Sequence, residues 1–170
     1  RHAKKALSEG ADGLILVCAG AGGHAGTLSP FALVREVREF FDGPIALSGS
    51  ISEGSSVLSA IALGADFAYV GTKFIATEEA NASPGYKQMI IDSTADDIMY
   101  SATFTGVNGN YLRPSVEAAG LNPEEHTSGS KDDMNFSTSA IAKKDNSSKA
   151  WKDIWGCLLY TSDAADDVLC

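Results

Sequence analysis

The first half of the chain switches between short continuous apolar runs and stretches whose apolar residues recur at helical spacing. Gly13-Leu14-Ile15-Leu16-Val17-Cys18 is an apolar run of strand length, the mark of a strand buried on both faces. A glycine-rich segment, residues 19–26, follows. Ser29-Pro30 then supplies an N-cap and a proline for the first helical position. Leu33, Val34, Val37, Phe40 and Phe41 fall at helical spacing, and Gly43-Pro44 ends the helix. The unit repeats. Pro44-Ile45-Ala46-Leu47 is a second buried strand, Ser48-Gly49-Ser50 turns the chain, and residues 53–63 form a helix with Val57, Leu58, Ile61 and Ala62 inward and Gly64 at its end. Asp66-Phe67-Ala68-Tyr69-Val70 is a third strand, closed by Gly71-Thr72.

Strands alternating with helices at this spacing predict an α/β fold of parallel βαβ units with right-handed crossovers. An open doubly wound sheet and part of an eight-fold barrel both fit, and in either one ligands gather at the carboxyl ends of the strands. The glycines sit there: Gly20, Gly22, Gly23 and Gly26 after the first strand, Gly49 after the second, Gly71 after the third.

Beyond Thr72 the rhythm changes. Ser83-Pro84 opens a helix carrying Tyr86, Met89, Ile90 and Ile91, and Thr94 caps another through Ile98 and Met99. Residues 106–120, with Arg113-Pro114 inside them, read as irregular. Residues 127–149, rich in Ser, Lys, Asp and Asn, read as a solvated loop or mobile surface segment. Trp151 and Trp155 would share one face of a short helix. At the start, Ala3-Lys4-Lys5-Ala6-Leu7 reads as the end of a helix already under way. At the other end, residues 157–167 (CLLYTSDAADD) resemble the in-frame translation of a transposase-type sequencing adapter, so 157–170 is expected to be a non-native tail.

Composition narrows the partners. Thirteen Lys and Arg stand against 22 Asp and Glu, a net charge of −9; without the tail, which carries Asp163, Asp166 and Asp167, it is −6. Only Lys4-Lys5 and Lys143-Lys144 approach a basic cluster, which argues against nucleic acid. No apolar run approaches the roughly 20 residues of a membrane span. Without the tail Cys18 is the lone cysteine, more often a small buried hydrophobe than anything reactive, and a reducing, cytoplasmic setting fits.

Three sites could carry chemistry. The glycine pair Gly22-Gly23 lets backbone approach a ligand closely, and His24 would then project over the mouth of the sheet, where an imidazole can accept a proton. A loop histidine bonded only for structure is the alternative. His2 and His126 have weaker claims and read as surface residues. Gly49-Ser50 and Gly71-Thr72 each follow a strand, 22 residues apart. Neighbouring loops of that kind bring backbone N–H groups and hydroxyls onto one point, as suits a phosphate; tight strand-to-helix turns explain them equally. No metal-ligand spacing, P-loop or nucleophile elbow is present, and Asp96-Asp97 and Asp132-Asp133 read as solvated faces.

Gly10-Ala11-Asp12-Gly13, Ala21-Gly22-Gly23-His24-Ala25-Gly26, Gly64-Ala65-Asp66 and Val70-Gly71-Thr72-Lys73-Phe74 together resemble the nitronate monooxygenase family, formerly 2-nitropropane dioxygenases, over roughly residues 3–156. Trp151-Lys152-Asp153-Ile154-Trp155-Gly156 also matches a family stretch, which there continues with a Gly- and Gln-containing run where Cys157 stands here. The resemblance implies part of an FMN-binding TIM (β/α)8 barrel, with the later βα units in 1–76, a smaller helical substrate-side domain in 77–150, and a return toward the barrel in 151–156. A whole barrel takes roughly 250 residues, so the early strands are expected to lie outside this chain.

By the same resemblance His24 is the active-site base, Gly22 and Gly23 lie beside the flavin, and Gly49 and Ser50 with Tyr69, Val70, Gly71 and Thr72 hold the FMN phosphate. The implied reaction converts a small anionic nitronate and dioxygen to a carbonyl compound and nitrite. Many members carry Gln and Glu seven and four positions before the histidine, where this chain has Val17 and Gly20, so the pocket is less polar. The rival readings are a flavin-dependent enoyl-acyl carrier protein reductase, a flavin-free barrel binding a phosphorylated metabolite, and an inactive truncated fragment.

Overall fold

The computed structural model describes residues 1–126 and 153–157. In chain order the elements are α1 (His2–Ser8), β1 (Leu14–Val17), β2 (Gly23–His24), α2 (Pro30–Arg38), β3 (Ile45–Ser48), α3 (Gly54–Ala62), β4 (Phe67–Tyr69), α4 (Thr72–Ile75) and α5 (Pro84–Asp92). A 3₁₀ turn (Ala95–Asp97), β5 (Ile98–Ser101), β6 (Gly109–Leu112), α6 (Arg113–Ala118) and a second 3₁₀ turn (Pro123–His126) complete them.

The three apolar runs pair as expected. β1, β3 and β4 form a parallel sheet in that order, with Leu16 beside Leu47 and Leu47 beside Ala68. Two helices, α2 between β1 and β3 and α5 beyond β4, start where the capping signals stand, whereas α3 has no side-chain cap bond. The Ser29 hydroxyl accepts the Ala32 N–H ahead of α2, and the Ser83 hydroxyl accepts the Tyr86 N–H ahead of α5. Leu14, Leu16, Ile45 and Leu47 pack against Val34 and Val37 of α2 and Ala60 of α3 to make the main core.

Burial on both faces of these strands is not what the structure has. Ile15, Ala46 and Phe67 share one rung of the opposite face, and Val17, Ser48 and Tyr69 the next. Ile15 is 57% exposed, Phe67 61% and Tyr69 54%. Apolar runs report that both faces favour burial; they do not say whether the covering residues lie within the same chain. The helix at 54–62 departs similarly. Ala60 is its buried residue, while Val57, Leu58 and Ile61 are exposed. Its apolar residues run round more than one face, so periodicity alone could not choose the inward one. An apolar sheet face of this kind should make the chain self-associate when it is produced alone. Size-exclusion chromatography should give oligomers, and Ile15→Lys with Phe67→Lys should raise the monomer fraction. A monodisperse wild-type monomer would contradict this.

The rest of the described chain builds a second, antiparallel sheet in the order β2-β6-β5. Two expectations are corrected here. Thr94 does cap a turn, in a reciprocal box with Asp97, but the turn ends there and Ile98-Met99 enters a strand. Residues 106–120 are not irregular: they hold β6 and α6, with Pro114 in the first turn of the helix. Met99, Tyr111, Val116 and Ile154 pack beneath this sheet, and Ile90, Leu112 and Cys157 form a third small core. Trp155 stacks on Tyr86 at 4.6 Å between ring centroids. The expectations for 127–149, Trp151 and 158–170 lie outside the described residues.

At the amino ends of the parallel strands Arg38 acts as a clamp. Its guanidinium donates to the carbonyls of Gly64 (2.9 Å), Phe41 (3.2 Å) and Gly43 (2.7 Å) and to Asp66 Oδ2 (2.7 Å). Asp66 Oδ2 also accepts the Ile45 N–H at 2.8 Å. That backbone donor, with Arg38 beside it, holds the Asp66 carboxyl below the usual carboxylate range. A carboxylate with a depressed folded pKa stabilises the protein above its unfolded pKa, and the contribution is lost as pH falls through the folded value. Asp66→Asn should therefore flatten the acid limb of a stability–pH profile. Arg38→Ala should cost about 2 kcal/mol in urea unfolding, with little rescue by lysine, which lacks the planar fork.

Candidate active site

The glycine-rich loop begins where β1 ends. The Cys18 N–H and Sγ both donate to the Ser48 carbonyl (3.0 and 2.9 Å), which fixes the loop's origin against β3. The Ala19 N–H reaches the Leu28 carbonyl at 2.7 Å and closes the loop at its base. Gly20 (φ +87°) and Gly23 (φ +72°) adopt left-handed backbone that other residues enter at a cost.

His24 owes its position to a partner strand that sequence periodicity missed. Gly23 pairs with Asn110 and His24 with Gly109 across the antiparallel β2–β6 ladder, and the Ala25 N–H bonds to the Asn108 carbonyl at 3.1 Å. A Cβ at Gly109 would lie 2.8 Å from the Gly23 carbonyl oxygen, so only glycine permits this approach. The buried Asn110 amide donates to the Ala21 carbonyl at 2.7 Å, and the Tyr100 hydroxyl donates to the Ala25 carbonyl at 3.1 Å. Backbone and side chains thus hold the loop from both sides, and the imidazole is exposed. Its Nε2 lies 3.1 Å from Thr105 Oγ1, which in turn lies 3.1 Å from the Tyr111 hydroxyl. Asn110 and Tyr111 come from the stretch read as irregular, and Thr105 stands just before it. The Gly-Asn-Tyr-Leu string has one apolar alternation at best, too short to signal a strand.

The second loop is locked to the first. Gly49 is buried with φ +147°, and a Cβ there would overlap Cys18 Sγ and come within 2.9 Å of the Ala19 carbonyl oxygen. Ser50 is the one described non-glycine residue with positive φ (+54°). Its N–H donates to the Gly20 carbonyl at 2.8 Å, and its hydroxyl points to the same oxygen at 3.4 Å. Gly20 therefore ties the two loops together.

The third loop leaves β4 on the same rim. Tyr69 and Gly71 are exposed and Val70 is half-buried. Gly71 caps α4, and among the described residues no atom beyond its chain neighbours stands within 4 Å of where its Cβ would be; the same holds at Gly23. Thr72 hydrogen-bonds the Cys157 thiol, which burial pushes up to about 12. The Cys157 N–H donates to the Asn110 carbonyl at 3.2 Å. Thr72 and His24 are thus linked through Cys157, Asn110 and Gly23, and all three loops lie at the carboxyl ends of the parallel strands. Among the described residues no cluster of three His, Cys, Asp or Glu could hold a metal, and no helix is long and apolar enough to cross a membrane.

The chain resembles known proteins in both sequence and fold. A nitronate monooxygenase of Paraburkholderia phytofirmans is 28% identical over 132 residues, which are 72% of this chain and 36% of that protein. FabK from Thermotoga maritima superposes with a TM-score of 0.61 at 31% identity, covering 69% of this chain and 38% of that one. A nitroalkane oxidase from Streptomyces ansochromogenes gives 0.59 at 31% identity, covering 65% and 35%. The chain spans roughly a third of the length of each of these relatives. The nitronate monooxygenase family profile matches residues 1–144, and the chain belongs to that family.

Proposed function

We propose that the full-length protein oxidises alkyl nitronates, or nitroalkanes after deprotonation, with dioxygen and FMN, giving a carbonyl compound and nitrite. The observation that carries this reading is the meeting of three strand-end loops on one rim with an exposed imidazole among them. In this reading 1–76 are later units of a (β/α)8 barrel, 77–150 the substrate side, 151–156 the return and 157–170 a non-native tail, whose first residue, Cys157, is nonetheless buried against Ile90 and Leu112. The open apolar sheet face then belongs to the barrel interior.

The rim fits a flavin. The space beside the Gly23 and Gly71 Cβ positions, which no described residue beyond their chain neighbours enters within 4 Å, admits a ligand close to backbone. Gly22 and Gly23 would lie along the ring, and Gly49, Ser50, Tyr69, Val70, Gly71 and Thr72 would surround the phosphate. Gly49 and Ser50 serve there by shaping the loop, since the Ser50 N–H is already given to Gly20. The bound flavin supplies the redox chemistry between nitronate and dioxygen. The chain's own contribution is acid–base and positional. His24 takes the α-proton of a neutral nitroalkane, and the rigid β2–β6 pairing keeps the imidazole at a fixed height above the loop.

The test is to purify the full-length protein, read flavin absorbance, and measure nitrite released from a preformed alkyl nitronate in air. A yellow protein that releases nitrite supports the reading. The likeness to FabK favours a second reading, a flavin-dependent enoyl-acyl carrier protein reductase. Oxidation of reduced nicotinamide with a crotonyl thioester, without nitrite from nitronates, would replace the first reading with the second.

A further inference from the structure

We propose that Thr105 is a positioning residue that fixes the tautomer of His24, keeping the proton on Nε2 and leaving Nδ1 as the basic nitrogen. The assignment follows from counting donors around one hydroxyl. Thr105 Oγ1 has four polar neighbours: the Val107 carbonyl at 3.0 Å, the Tyr111 hydroxyl at 3.1 Å, His24 Nε2 at 3.1 Å and, longest, the Val107 N–H at 3.4 Å. A hydroxyl has a single proton and two lone pairs. The carbonyl can only accept, so the Thr105 proton goes to Val107. Tyr111 is 6% exposed, and its hydroxyl has Thr105 Oγ1 as its partner among the described residues. A buried phenol donates when an acceptor is in reach, so Tyr111 fills one lone pair. The remaining lone pair is shared by two neighbours, the Val107 N–H at 3.4 Å and Nε2 at 3.1 Å, and the imidazole makes the shorter contact. That contact is attractive only if Nε2 carries a hydrogen; the other tautomer would set two lone pairs against each other.

Nδ1 has no hydrogen-bond partner among the described residues, and His24 is exposed, so this nitrogen is open to a substrate. In use, the α-carbon–hydrogen bond of the nitroalkane breaks, its electron pair stays on the nitronate, and the proton binds Nδ1. The resulting imidazolium keeps its Nε2–H bond to Thr105. No rearrangement is needed at the moment of transfer, because the acceptor on the far side of the ring is the same before and after. The tautomer assignment stands on the hydrogen bonds alone; its catalytic use rests on the function proposed above.

Long-range ¹H–¹⁵N correlation on the full-length protein, labelled at histidine and assigned through His24→Asn, tests it directly. The expected result is His24 protonated at Nε2 in the wild type and in Thr105→Ser, and a mixture of tautomers in Thr105→Val. With a neutral nitroalkane, Thr105→Val should lose about tenfold in turnover, more than it loses on the preformed nitronate, while Thr105→Ser stays within about twofold on both. A wild-type His24 protonated at Nδ1, or a Thr105→Val protein with the wild-type tautomer, overturns the proposal. The predicted tautomer in a protein that releases no nitrite would leave the assignment standing and overturn the proposed reaction instead.

Discussion

Replacing His24 by asparagine in the full-length protein lowers turnover of a neutral nitroalkane by about 10²–10⁴-fold, the range a positioned general base contributes. Turnover of the preformed nitronate falls much less, because that substrate arrives already deprotonated. The contrast isolates proton removal from everything else the residue does. His24 is held through its backbone, by pairing with Gly109 and by the Ala25–Asn108 bond, so the substitution leaves the loop in place. Steady-state nitrite release from the two substrates, measured side by side, checks the split. Equal losses on both would remove the base assignment and leave a positioning role.

Gly49→Ala has the largest expected effect on stability, a loss of about 3 kcal/mol. It adds overpacking, typically about 1–3 kcal/mol, to the strain of a non-glycine residue at a forbidden φ. The added methyl overlaps the Cys18 sulfur and presses on the Ala19 carbonyl, both part of the base of the glycine loop. Cys18 cannot swing aside freely, since it is fully buried and its Sγ donates to Ser48. Burial also raises its thiol pKa, so it stays neutral and unreactive there. The midpoint of urea unfolding should drop with the slope unchanged. Adding Cys18→Ala to Gly49→Ala should recover part of the loss, because it vacates the contested space and leaves only the backbone strain. No recovery in the double variant would mean that the steric term is small.

How far the sequence could be read depended on whether a segment's partners are local. The parallel sheet was legible because each strand is a run of apolar residues bounded by turn signals, and α2 between the first two carries its own cap at Ser29. The side on which an apolar face is covered was not legible, since Ile15 and Phe67 look the same in sequence whether or not something packs on them. The β5–β6 hairpin was hidden for a different reason. Gly109 is required by the close approach of Gly23, and Asn110 by the Ala21 carbonyl, so both positions obey distant contacts rather than strand propensity. His24 could be singled out from its glycines, but Thr105 and Tyr111 could not, because a hydroxyl 81 residues away leaves no periodic trace.

The most direct test is a crystal structure of the full-length protein grown with FMN. The expected result places the phosphate against the Gly49-Ser50 and Gly71-Thr72 loops, with the ring along Gly22-Gly23 and the His24 imidazole facing the substrate side. A flavin bound away from this rim, or His24 turned out of reach of the ring, would contradict the assignment of these loops as one cofactor and substrate site.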